Sequence, residues 1–584
     1  MQEKDTAGVG GGKRAWWPFL WIVVASAAAH LWCLGSQFYM DDIPAILENE
    51  AIRTGAFWNT KTQLWTNMWY FLEARVFGFS PAGFHAVNWL LHTAVACVLF
   101  GLGRDLLRGK WPAGVAWFGA LLFAVHPLAS EIPNYARTQD LAWVTLFSLL
   151  AAWAMLRYLG EGGWELVRGE DGQIPVFQKT HRWRKLVWCA LAVAGATFSK
   201  GPGFLHAVMA VAMVVLAFFP KGGKRAWPWI AGLAVLGLLV VWGAGIFGNA
   251  LNGLARWQEP RFIGHGYTVA RVFWEFAWRS VVPVALSADH HIAETLVPKG
   301  VGYWNVPDRV AIASAWGMLA LGALGVVLAC REKWRVLGVC LALFVGTIAF
   351  RVFYLIPEFM PEYRIYPGLP WFCLGAAVVL AAAWQWLFAH VSPRGAVVVL
   401  LGGLAVLSAQ RSFLWHDLDL LMKDVLRQYP AQARAIWELQ DRDLKAGRWQ
   451  EVIARHERDF PEVRRRFIAS LGALAPAREL PTGHFTLAET ACMGRYARAV
   501  AHVKGPAEGL RRMADVESYL RLQRINPKTN PAHWNHFGHD KALILEMAGD
   551  YAAALKAMEP RSGEPQGWPF DYERIRQKQE DVTP

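Results

Sequence analysis

The chain has 584 residues, 54% of them apolar, with 32 Trp and a mean hydropathy of +0.22. These values exclude an ordinary soluble protein, because runs of roughly 17–25 apolar residues, the length that crosses a bilayer, recur along it. The formal net charge of +13 would suggest nucleic acid in a soluble chain, but here the basic residues cluster between apolar runs, where cytoplasmic loops hold them, so nucleic acid is excluded as a partner.

In chain order the apolar runs predict eleven spans, at 16–34, 84–103, 111–126, 140–159, 184–198, 203–219, 226–248, 308–329, 336–350, 367–389 and 395–410. The first lacks a small-residue cleavage site and reads as a retained helix, not a signal peptide. Residues 267–286 carry Arg271, Glu275 and Arg279. They read as an interfacial or re-entrant helix, with a further membrane segment as the alternative. Cys33, Cys97, Cys189, Cys330, Cys340 and Cys373 lie in or beside apolar runs and Cys492 in the polar tail, a distribution without disulfide or zinc spacing.

Alternate connections hold "KR" (13–14), "GRDLLRGK" (103–110), "RWRK" (182–185), "KGGKR" (221–225), "REKWR" (331–335) and "SPR" (392–394). The positive-inside rule makes their side cytoplasmic, together with the N-terminal residues 1–15. The opposite face then receives outer loops 35–83 and 249–307, the turns near 127–139 and 199–202, residues 351–366 and the tail 411–584. The predicted fold is therefore all-α: a polytopic membrane domain over 16–410 and a soluble helical domain over 411–584.

The tail has two amphipathic helices joined at "AGR" within 434–461, and "AGDYAAAL" in 540–560 matches "AGRWQEVI" position by position. A small residue, Gly, a polar residue and an aromatic at a helix turn form the tetratricopeptide (TPR) pattern, in which helix pairs bury their faces on neighbours. Residues 462–539 are expected to supply degenerate helices between the two clear units. The alternative is an unrelated helical bundle.

The outer face concentrates ionisable residues, against a core with almost none. It holds Asp41, Asp42 and Glu48; His126, Glu131, Arg137 and Asp140; Lys200; Arg256, Glu259, Arg261, His265, Asp289, His290 and His291; and Arg351, Glu358, Glu362 and Arg364. Such groups at membrane depth usually line a functional cavity. One carboxylate with several cations suffices to move a sugar from a lipid phosphate. The carboxylate takes the acceptor's hydroxyl proton, and the cations offset the phosphate's charge. Adjacent residues do not share a helix face, so Asp41 and Asp42 cannot both point at one acceptor. We take Asp41 as general base and Asp42 as the residue that orients the loop or caps a helix beginning near Pro44. Neither His85 with His92 nor His290 with His291 has a carboxylate spaced to complete a metal site, so no cofactor is assigned and no ligand set for a divalent cation is visible.

"YMDDIPAILENEAIR" (39–53), "SPAGFHAVNWLLHTAVACVLF" (80–100), "ALLFAVHPLASEIPNYARTQDLAW" (120–143) and "MPEYRIYPGLPW" (360–371) occur in that order. They resemble the transmembrane and tetratricopeptide-repeat O-mannosyltransferases and their bacterial relatives, of the GT-C class. Residues 411–449 are similar to that family's junction from last span to first repeat. The resemblance implies an acidic pair, Asp41–Asp42, at a lipid-sugar site facing the lumen or periplasm. It implies a dolichyl- or polyprenyl-phosphate sugar as donor, protein Ser/Thr as acceptor, a bacterial inner membrane as the location and a periplasmic tail that binds an acceptor protein or glycan. His85, Asn88 and His92 match the family on the second span, with an interhelical polar stripe as their alternative. His126, Glu131 and Arg137 match its His-Pro-x-x-x-Glu stretch, and Arg364 and Tyr366 match its Arg-x-Tyr motif, with Arg364 as a phosphate partner. The chain departs from the pattern at "QLWTNMWYFLEARVFG" (63–78), where Arg-Pro is usual, and at Lys200-Gly201, where Lys-Glu is usual.

Two further readings share these residues: a glycan ligase or polymerase using a lipid-linked donor, and a non-catalytic assembly scaffold. A transporter fits less well, since the spans lack buried charges and inverted repeats are not evident.

Overall fold

A computed structural model of the chain describes residues 16–59, 63–160, 165–167, 176–178, 183–218, 260–290, 292, 295, 308–353, 360–388, 391–430, 432–470, 484–522, 525, 527, 531–559 and 568–582. The expected span 226–248 lies outside them, as do Arg256, Glu259, His291 and Glu358. The chain divides into two compact units. One comprises Met1–Leu286, Gly300–Leu355 and Glu362–Asp417; the other Ser287–Lys299, Ile356–Pro361 and Leu418–Pro584.

In the first unit the helices are α1 (Trp17–His30), α2 (Glu50–Thr54), α3 (Leu64–Phe77), α4 (Pro81–Leu106), α5 (Ala113–Ala124), α6 (Glu131–Asn134), α7 (Gln139–Gly160), α8 (Trp183–Ser199), α9 (Gly203–Phe218), α10 (Pro260–Val281), α11 (Arg309–Ala329), α12 (Arg335–Ala349), α13 (Leu369–Leu387) and α14 (Arg394–Leu414). A three-residue antiparallel pair, β1 (Glu165–Val167) and β2 (Val176–Gln178), supplies the only strands among the described residues. Among the described residues seven helices are long and apolar enough to cross a membrane: Trp17–Gly35, α4, Ala136–Leu159, α11, Arg335–Val352, α13 and α14. The chain is thus an all-α integral membrane protein.

The expected span at 111–126 is instead a bent pair, Ala113–Ala124 and Pro127–Asn134, at 55°. Pro127 explains the break: it lacks an N–H and pushes His126 into extended backbone (φ −72°, ψ 124°). The runs at 184–198 and 203–219 form helices of 17 and 16 residues, short of the roughly 20 that a full crossing needs. Residues 267–281 continue α10, whose Phe262, Phe273 and Phe276 are buried while Trp274 and Trp278 are exposed.

Small residues let the spans approach closely. A Cβ at Gly119 on α5 would lie 3.2 Å from Leu374 Cα on α13, and one at Gly338 on α12 would overlap the backbone at Ala329. At one end of α4, Asp105 accepts from Trp153 (2.7 Å) and Arg157 (2.6 Å) of α7. Toward the other end, His85, Asn88 and His92 are all buried on one face, as their spacing requires.

The second unit is a succession of helices: α15 (Leu418–Gln428), α16 (Ala433–Lys445), α17 (Trp449–Ser470), α18 (His484–Lys504), α19 (Pro506–Leu522), α20 (Pro531–Met547), α21 (Tyr551–Ala557) and α22 (Pro569–Val582). Each buries its apolar face on neighbours: Ile436, Phe460 and Cys492 join α16, α17 and α18, while Ala501, Val516 and Phe537 join α18, α19 and α20. The two matched turns are alike. Gly447 and Gly549 hold φ of +70° and +77°, the left-handed backbone that ends a helix and for which glycine is suited.

Gly494 on α18 is constrained by packing, not backbone, because a Cβ there would overlap the Asp540 carboxylate. That carboxylate is pinned by Arg495 (3.4 Å) and Arg498 (3.2 Å). Gly494→Ala is expected to destabilise the tail by up to about 3 kcal/mol. Gly447→Ala, with open space around its Cβ, should cost about 1 kcal/mol through backbone strain alone. Thermal unfolding of both variants, followed by proteolysis of the tail, checks the order; a larger loss in Gly447→Ala contradicts it.

Candidate functional site

The chain leaves α1 through a tight turn, Leu31–Gly35, and Ser36 Oγ donates to Asn134 Oδ1 (3.0 Å). Met40 then adopts φ +49°, a left-handed conformation that a side chain opposes and that surrounding contacts must hold. Asp42 supplies them. Its Oδ2 accepts the Tyr39 N–H (3.2 Å) and its Oδ1 the Arg137 N–H (2.6 Å). The carboxylate is 0% exposed. Burial pushes its pKa up to about 8, against the pull of the two N–H bonds.

Asp42 is not a helix cap. Its side chain caps nothing, residues Ile43–Leu47 form one wide turn, and the following helix α2 is capped by Asn49, which accepts the Ala51 N–H (3.0 Å). The local capping geometry is outcompeted by the distant Arg137 amide. Asp41 points the other way. It is exposed, its N–H donates to Tyr135 Oη (3.0 Å), and it lines a cavity of about 350 Å³ with Pro44, Asn49, Gln63, Asn67, Tyr70 and Arg137.

The facing wall is irregular backbone from His126 to Thr138. Asn88 Nδ2 donates to the carbonyls of Ile132 (2.9 Å) and Tyr135 (3.2 Å), and His85 Nδ1 donates to Pro133 O (3.0 Å). His126 Nδ1 accepts the Leu128 N–H (3.2 Å), which fixes the proton on Nε2, where it meets Ser280 O (3.0 Å). Glu131 accepts the Tyr363 N–H (2.7 Å), and Tyr366 Oη pairs with His92 Nδ1 (3.0 Å). These partners of His85, His126, Glu131 and Tyr366 are protein groups, mostly main chain.

The cations are arranged differently. Arg137 Nη1 (2.9 Å) and Lys200 Nζ (2.8 Å) share one oxygen, Asp140 Oδ2. Burial lowers the Lys200 pKa, and Asp140 counteracts it. Lys200 Nζ also lies 5.8 Å from the Tyr363 ring centre. Arg364 is buried, with its guanidinium 6.0 Å from the same ring, and Arg351 donates to its carbonyl (3.4 Å). The structure thus brings Asp41, Arg137 and, through Asp140, Lys200 together, whereas Arg364 is not in the cavity's lining.

A second, apolar cavity of about 510 Å³ is walled by Leu122, Phe344, Trp371, Phe372 and Leu404 and bordered by His126 and Ser280. Among the described residues no group of three or more His, Cys, Asp or Glu is placed to hold a metal ion.

The chain is similar in sequence to known proteins along parts of their length. The human protein O-mannosyl-transferase TMTC1 is 31% identical over 161 residues, 23% of this chain and 18% of that protein. The Caenorhabditis elegans protein O-mannosyl-transferase F38B6.6 is 27% identical over 149 residues, 22% of this chain and 21% of the relative. The mouse protein O-mannosyl-transferase TMTC4 is 22% identical over 502 residues, 72% of this chain and 64% of the relative. The chain is a relative of the protein O-mannosyl-transferases. It spans about a fifth of the first two of these relatives and less than two thirds of the third. No family model matches the chain, and no solved structure does.

Sequence reasoning passed over Asp140 as a site residue, although its spacing from Arg137 (i, i+3) would pair them on one helical turn. It also passed over Glu73 and Asn67 on α3. Glu73 is buried, accepts from Gln139 Nε2 (2.6 Å) beside Asp140, and is pushed by burial up to about 8. A carboxyl raised in the folded state leaves stability unaffected below its ordinary range near 4.5 and removes it progressively as pH rises from there toward 8. The melting temperature is accordingly expected to fall between about pH 5 and about pH 8, and to fall less in Glu73→Gln, which stays neutral. Parallel melts of the purified protein measure both slopes, and equal slopes contradict the assignment.

Proposed function

We propose that the chain is a membrane glycosyltransferase that moves a sugar from a polyprenyl-phosphate donor to a hydroxyl, most directly that of a protein Ser or Thr, with Asp41 as general base. The observation that carries this reading is the cavity lined by both Asp41 and Arg137, with Lys200 joined to Arg137 through Asp140. The names of the relatives, which are protein O-mannosyl-transferases, support the same reaction class, with mannose as the first sugar to try.

The chemistry needs little else. The acceptor oxygen attacks the anomeric carbon as its proton passes to Asp41. The bond from that carbon to the phosphate oxygen breaks, and the lipid phosphate leaves with the electron pair and one more negative charge. Arg137 and Lys200 offset that charge, which counts for more in a low-dielectric site. Asp42 holds the loop and takes no proton in the step. The apolar cavity beside His126 suits a prenyl chain. We assign residues 1–15 to the cytoplasm, 16–410 to the membrane domain and 411–584 to a periplasmic TPR-like domain that receives the acceptor. The matched glycine turns and the helix-on-helix cores of the tail support that last reading.

Asp41→Asn is expected to lower transfer by on the order of 10²–10⁴-fold with donor binding intact, since Asn keeps the shape but takes no proton. Asp42→Ala should instead lower folded yield, because it leaves the Tyr39 and Arg137 N–H groups without their acceptors. Lys200→Ala should weaken donor binding. Assays with radiolabelled polyprenyl-phosphate mannose and a Ser/Thr peptide on the three variants test this, and full activity in Asp41→Asn removes the base.

Topology is tested separately. Reporter fusions at 222 and 450 are expected to place the first in the cytoplasm and the second outside. An alkaline phosphatase fusion active at 222 or inactive at 450 would move the site to the wrong face for this donor.

A further inference from the structure

Asn67 lines the cavity, is 3% exposed, and its carboxamide has no hydrogen-bond partner among the described residues. Amides of buried residues are ordinarily paired within the protein, so one whose only opening is a polar cavity points to a ligand there. The neighbours divide clearly. Asn49 is engaged at both ends, donating to Ala45 O (3.0 Å) and accepting from Ala51 (3.0 Å), and Tyr70 Oη donates to Ala136 O (2.9 Å). Gln63, like Asn67, lines the cavity with a side chain that has no partner among the described residues. The Asn67 N–H donates to Gln63 O (2.9 Å), so the two carboxamides stand one helical turn apart at the start of α3.

Two neutral carboxamides offer donors and acceptors together, which matches neighbouring hydroxyls that each donate and accept. A bare ion would be met by charge, and an apolar chain by apolar walls. Position then selects the occupant. The carbon that changes partners lies between the phosphate, met by Arg137, and the acceptor hydroxyl, met by Asp41, and both residues line this cavity. The ring that carries that carbon must occupy the same space.

We infer that Asn67, assisted by Gln63, binds the hydroxyls of the donor's sugar ring and sets which sugar the chain accepts. The inference rests on the transfer reading above. It assigns a specificity role to the start of α3.

Binding to the purified full-length chain tests it without turnover. Farnesyl phosphate and farnesyl phosphate mannose are titrated in parallel, with tryptophan fluorescence as readout. The wild type is expected to bind the mannosyl lipid about tenfold more tightly than the bare phosphate. Asn67→Ala should abolish that difference and leave farnesyl phosphate affinity unchanged, which also reports an intact fold. Gln63→Ala should reduce the difference in part. The glucosyl lipid should bind less well than the mannosyl lipid to the wild type and equally well to Asn67→Ala. A sugar increment that survives in both variants overturns the inference, as does a wild type that binds the phosphate with no sugar increment, and each leaves the transfer reading standing. A wild type that binds neither lipid overturns the transfer reading and this inference with it. An effect of Asn67→Ala confined to binding of a Ser/Thr peptide, titrated in the same way, gives the cavity to the acceptor and overturns the assignment to the sugar.

Discussion

Asp42 joins two parts of the chain 95 residues apart, and the geometry of the cavity depends on that joint. A carboxylate enclosed by protein is costly unless N–H donors meet it. The Tyr39 and Arg137 amides do so, one from each side of the joint. Fastening Tyr39 back on Asp42 forces the turn in which Met40 is left-handed. That turn sends the next carboxylate outward, where Asp41 faces the cavity and its amide is held by Tyr135. Fastening the Arg137 amide places its side chain on the same cavity. One buried acid thus fixes both the exposed acid and the cation opposite it.

Irregular backbone within a membrane protein requires partners for every carbonyl and amide. Residues 125–138 find them on neighbouring helices: Asn88 and His85 from α4, Tyr70 from α3 and Ser408 from α14, which donates to Val125 O (2.8 Å). Residues 362–365 are fixed in turn by Glu131 and by Arg411, whose Nη2 pairs with Glu362 (3.0 Å). The polar stripe on α4 therefore holds the site's walls, while the groups that can meet a ligand stand on the loops.

Much of this was legible in the chain. The i, i+3, i+7 spacing of His85, Asn88 and His92 put them on one inward face, and the adjacency of Asp41 and Asp42 required them to diverge. The two "AG" turns predicted helix ends that Gly447 and Gly549 form. What was not legible depends on distance. A cap for Asp42 is a local expectation, overridden by an amide 95 residues away. Asn67 and Glu73 carry no motif, and their meaning comes from α3 lying beside the cavity and beside Gln139.

The charge balance of the cluster shows how such a site can favour the breaking of a phosphate bond. Asp140 meets both Arg137 and Lys200 with one oxygen, so this trio carries one net positive charge, which the Asp41 carboxylate in the same cavity balances until it takes the acceptor's proton. Without Asp140, Lys200 would lose its counterweight to burial and tend to release its proton. With a second carboxylate at that point, the cluster would be neutral and indifferent to an anion. On the transfer reading, the donor's phosphate carries one charge in the ground state and gains another as the glycosyl bond breaks. A residual positive charge fixed beside it is attracted more strongly to the later state, so its stabilisation grows along the reaction and lowers the barrier instead of only tightening the complex.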